Sequence, residues 1–63
     1  MSNNVNDLLF DRANDMVEYW AGTQFEQRIV MAMKLKDLEQ LEYIVRLAEG
    51  EQARYEMQVR EAV

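Results

Sequence analysis

Leu38, Leu41, Val45, Ala48, Gln52, Tyr55, Val59 and Ala62 follow one another at intervals of three, four, three, four, three, four and three residues. That spacing is a heptad seam, the stripe by which a helix packs along its length. It predicts one long helix over 38–62, and the rest of a 63-residue chain has to be arranged around it. The phase survives Gly50, which places that glycine inside the helix at a cost of ~1 kcal/mol relative to Ala. A kink or break at Gly50, giving a fourth short helix, is the alternative. Gln52 is the one polar seam residue and would set register or oligomer state.

The seam has two uses. It can join two copies of the chain, or it can be the platform on which the preceding helices pack. Glu42, Glu49 and Glu56 recur every seven residues on one flank, where like charges oppose a second copy brought in flank to flank. The seam pattern alone serves both uses equally well.

Two shorter helices precede it. Val5, Leu8, Leu9, Ala13, Met16, Val17 and Trp20 lie on one face of a helix over 5–21. Asn4 is placed to cap it, residues 1–4 are expected to be disordered, and Gly22 follows as a terminating glycine. Thr23 and Glu26 have the spacing of a capping box, which starts a second helix at 24 and carries it to 35. Its main face is Phe25, Ile29, Ala32 and Met33, yet Val30, Met31 and Leu35 lie off that face. A helix that is apolar nearly all round must be covered on more than one side. Ile29, Met31, Met33 and Leu35 also alternate as in a strand, but a lone strand has nothing to pair with. Asp37, three residues before Gln40, can cap the third helix. The expectation is an all-α, three-helix single domain over 1–63: two shorter helices and one long C-terminal helix.

Composition limits what such a domain does. A chain of this size buries only ~60% of the surface it exposes when unfolded, so it usually leans on disulfides, metals or association. With no Cys and no His, association is what remains. The reading is a helical homodimer joined through Val30, Met31, Leu35, Leu38, Leu41, Val45, Tyr55 and Val59. Without His or Cys, no base, nucleophile or metal site takes shape, so no enzyme, cofactor or metal is expected. The net charge of −5 disfavours direct contact with nucleic acid or an anionic membrane. A helix-turn-helix reading of 24–62 fails for the same reason, since its second helix would open on Asp37, Glu39 and Glu42. No apolar run reaches the ~18 residues of a transmembrane helix. Met1-Ser2-Asn3-Asn4 lacks the basic and apolar regions of a secretory signal, which makes the cytoplasm the expected location.

What remains is binding to another protein. Asp7, Asp11, Asp15 and Glu18 line one narrow face of the first helix, with carboxylates four apart separated by ~6 Å along the axis. Phe10, Tyr19 and Tyr43 fall at the edge of the apolar faces, where aromatics serve as anchors. Trp20 and Phe25 flank the Gly22 turn and are expected to clamp it. The leading expectation is a small acidic adaptor or regulator, with aromatic anchors for affinity and carboxylates for steering. The alternative is a phage-type acidic inhibitor whose carboxylate row occupies a nucleic-acid groove on its target.

Overall fold

The computed structural model describes residues 5–62, with side chains from 6 to 61, and resolves them into α1 (Val5–Tyr19), α2 (Gln24–Leu35) and α3 (Leu38–Ala62). There is no strand among the described residues; 29–35 is helical. The expected disorder of 1–4 and the Asn4 cap lie outside the described residues.

α1 stops at Tyr19, two residues short of the expected Ala21, because the backbone tightens there. The Ala21 N–H bonds back only three residues to the Glu18 carbonyl at 3.4 Å, and Gly22 turns the chain at φ 84°. The capping box does not form. Thr23 stands at the cap in extended backbone, but its hydroxyl donates backwards to the Trp20 carbonyl at 2.6 Å. The Glu26 carboxylate accepts the Gly22 N–H at 2.7 Å, one residue earlier than a capping box requires. Both groups close the turn and leave the helix start to the backbone.

α2 ends on Lys36 in the left-handed conformation at φ 55°. The Lys36 N–H donates to Met33 O and the Asp37 N–H to Ala32 O, each at 3.1 Å, which is the Schellman closure usually given to glycine. Asp37 then caps α3, its carboxylate accepting the Gln40 N–H at 3.2 Å. The chain reverses in two residues, so α2 and α3 run as antiparallel neighbours.

The core is Leu9, Ala13 and Met16 from α1, Ile29 and Ala32 from α2, and Leu41, Ile44, Val45 and Ala48 from α3. One alanine per helix lets the three backbones approach closely. Phe10, Val17, Trp20, Phe25, Met33 and Leu38 pack around this centre. Leu8, grouped with the apolar face of the first helix by its spacing, lies 55% exposed, a 100° step round the helix from buried Leu9.

The seam of α3 is divided. Leu41, Val45 and Ala48 are fully buried inside the chain, whereas Tyr55 and Val59 are 54% and 47% exposed. The Gln52 amide donates to Glu56 on its own helix at 3.2 Å. α3 runs unbroken through Gly50, where a Cβ would meet nothing within 4 Å.

Gly50→Ala is therefore expected to raise stability by ~1 kcal/mol in a urea titration at low protein concentration. Leu41→Ala is expected to remove ~2–5 kcal/mol, which is most of what a core this small supplies. Far-ultraviolet circular dichroism at 25 °C should show that variant largely unfolded.

Candidate functional site

Antiparallel α2 and α3 leave a groove of about 350 Å³ on their outer side, lined by Gln27, Arg28, Met31, Ala32, Leu35, Asp37, Gln40 and Ile44. Met31 and Leu35, one turn apart on its rim, are 55% and 69% exposed. The buried faces of Ile44 and Ala32 form its floor, and the Lys36–Asp37 reversal closes one end. The helix on one side of it differs in charge from the rest of the chain. Residues 27–36 carry Arg28, Lys34 and Lys36 and no carboxylate, in a protein whose net charge is −5. The lining itself is an apolar trough with one cation, Arg28, and one carboxylate, Asp37, on its edge.

The corner of the molecule is aromatic. Trp20 sits among Tyr19, Phe25 and Tyr55, with ring centroids 5.0, 5.4 and 6.5 Å away. Its indole N–H donates to the Ala48 carbonyl at 3.1 Å, which pins the α1–α2 turn to the middle of α3. The Tyr19 phenol is held above its ordinary pKa by desolvation first, then by the charges of Glu56 and Tyr55 and a hydrogen bond to Glu56.

On the other flank, Arg12 reaches across to Glu49. Its Nε donates to Oε2 at 3.0 Å and its Nη2 to Oε1 at 2.7 Å. This bidentate bond is the largest of the influences that hold the Glu49 carboxyl below its usual range, and desolvation opposes it. The side chains are 42% and 36% exposed, so solvent screening limits the pair to at most ~1 kcal/mol.

Of the residues singled out in the sequence, Asp7, Asp11, Asp15 and Glu18 are all exposed on the outer face of α1. Phe10 is half-buried against the core, Tyr19 belongs to the aromatic corner, and Tyr43 stands 57% exposed on the outer face of α3. They do not form one surface. The set expected to join two copies also separates. Val30 is half-buried, and Met31, Leu35, Tyr55 and Val59 are exposed, but Leu41 and Val45 have no exposed surface and Leu38 packs against the core. Those three are used within the chain, because α1 and α2 already cover the first half of the seam. Exposed Leu47 and Met57, at 40% and 62%, lie outside both sets, although their spacing from Tyr43 was there to be read.

Among the described residues no group of His, Cys, Asp or Glu is placed to hold a metal ion. None of the described helices is long and apolar enough to cross a membrane. In comparisons with known proteins, no family model, curated protein or solved structure matches the chain.

Glu49 has a folded pKa below its unfolded one. Its contribution is complete above the usual carboxylate range and is lost as the pH falls through the folded value. Glu49→Gln should be slightly less stable at pH 7 and should lose less stability on acidification. Melting temperatures across that pH range, followed by the fluorescence of the single Trp, check both points.

Proposed function

We propose that this chain is a non-enzymatic interaction module, an adaptor or regulator that works in the cytoplasm by binding another protein. The observation that carries the reading is the open α2–α3 groove, where Met31 and Leu35 face solvent beside Arg28. Nothing within the described chain covers these side chains, and apolar anchors inside a charged rim are the usual build of a binding surface. The partner segment this groove suits is an amphipathic helix that lays its apolar stripe against Met31 and Leu35. The exposed row Asp7, Asp11, Asp15 and Glu18 supplies a negative long-range field that steers basic groups of a partner toward the chain.

Leu35→Glu and Met31→Asp place a charge on exposed positions, so each is expected to shift stability by no more than ~0.5 kcal/mol. In pull-downs with the purified protein as bait, both should lose the partner that the parent chain retains. Retention of that partner by both variants would remove the groove from the reading.

The exposed carboxylate row also keeps the inhibitor reading in view. Changing Asp7, Asp11 and Asp15 together to Asn should abolish target binding with helicity intact if the row occupies a nucleic-acid site. If it only steers, association should slow while the dissociation rate stays the same.

A further inference from the structure

The strong ties between α3 and the rest of the chain stop at Glu49. Leu41, Ile44, Val45 and Ala48 are buried in the core, the Ala48 carbonyl accepts the Trp20 indole N–H, and the Glu49 carboxylate takes the Arg12 guanidinium. The next residue is Gly50. From Glu51 to Glu61 the helix continues, but no side chain is buried: Gln52 is half-buried and the others are exposed.

Little holds such a stretch in place. A helix of about a dozen residues is marginal in water without tertiary burial. The pairs within it lie on the surface, Glu51 with Arg54 at 3.6 Å and Gln52 with Glu56 at 3.2 Å, and solvent leaves such pairs weak. Its contacts with α1 and the corner are light, the Tyr55 ring at 6.5 Å from that of Trp20 and a hydrogen bond between Glu56 and Tyr19. Gly50 adds to this, because glycine gains more backbone freedom on unwinding than any other residue. It occupies the first position past the last anchor, and neither a positive φ nor a neighbour at the missing Cβ requires it there.

We propose that α3 comes apart at Gly50. Residues 51–62 form an arm that unwinds while α1, α2 and 38–49 stay folded, and its opening uncovers Tyr19 and Trp20, on which Glu56 and Tyr55 rest. Proteins open in contiguous cooperative units, and those with the fewest buried contacts open most readily. The arm is a lid on the aromatic corner, held by a ring contact and a hydrogen bond and not by a core. It shares no residue with the α2–α3 groove, so this proposal and the functional reading fail separately.

Amide hydrogen exchange of the intact chain, followed residue by residue by NMR at several urea concentrations, tests the boundary. Amides of 53–60 should be protected roughly tenfold less, or weaker still, than those of 41–48, and should depend less steeply on urea. Equal protection and equal slopes overturn the proposal, since α3 then opens only with the whole domain. Gly50→Ala should slow exchange in 53–60 about fivefold, the difference in helix propensity between the two residues. A gain confined to the core amides would mean fraying from the free end and would overturn the boundary at Gly50.

Trypsin gives an independent reading. Arg46 and Arg54 lie on opposite sides of Gly50 with side chains 73% and 77% exposed, so exposure alone predicts similar cleavage. Cleavage after Arg54 should be roughly tenfold faster or more, because the protease reads the population of the opened form. Equal rates overturn the proposal. The clipped chain 1–54 should keep the circular dichroism of the core, and acrylamide should quench Trp20 more strongly in it than in the intact chain. Loss of the whole helical signal, or unchanged quenching, overturns the arm as a separate lid.

Discussion

The length of α3 against its neighbours is the constraint on which the rest of the molecule turns. A helix of 25 residues extends ~37 Å, while 15 and 12 residues of α1 and α2 extend ~22 and ~18 Å. The two short helices lie side by side on the same half of the long one and meet at the Trp20–Phe25 corner. Up to that corner the seam of α3 is a core, with Leu41, Val45 and Ala48 fully buried. Past it the same seam is a surface, and Tyr55 and Val59 remain largely in water. The indole bond from Trp20 to the Ala48 carbonyl marks the boundary.

Periodicity in the sequence carried the helices, because phase is a local property that adjacent residues write together. Asp37 was legible as a cap for the same reason: its carboxylate has to reach a backbone N–H only three residues away. Reach is not local. The seam from Leu38 to Ala62 reads the same whether it faces α1 and α2 or a second copy, and only the lengths of the other helices divide it. The Arg12–Glu49 pair joins residues 37 apart, and neither has a neighbour that announces the other. Lys36 is harder still. A lysine gives no sign that it will take the left-handed conformation, and it does so because Ala32 and Leu41 must both be buried across a two-residue reversal.

The candidate site was half visible. Met31 and Leu35 were surplus to the main face of α2 on inspection, and the structure leaves them on the rim of the groove. Phe10, Tyr19 and Tyr43 looked alike in the sequence, being aromatics at the edge of an apolar face. They differ in three dimensions because edges are not equivalent. The edge of α1 that holds Phe10 turns toward packed neighbours, the edge that holds Tyr19 meets the aromatic corner, and Tyr43 stands where α3 has no neighbour at all.

A domain of this size, with no disulfide and no metal cluster among its described residues, draws roughly 3–5 kcal/mol of stability from its core alone. Anything that binds only the folded state adds to that by mass action, ~2.7 kcal/mol at one hundred times its Kd. A partner held in the groove at that concentration would contribute on the scale of the whole core. Exposed Met31, Leu35, Leu47 and Met57 make sense in that light. Burying them inside the chain would need more helix than α1 and α2 supply, so they remain as surface that only another molecule could cover.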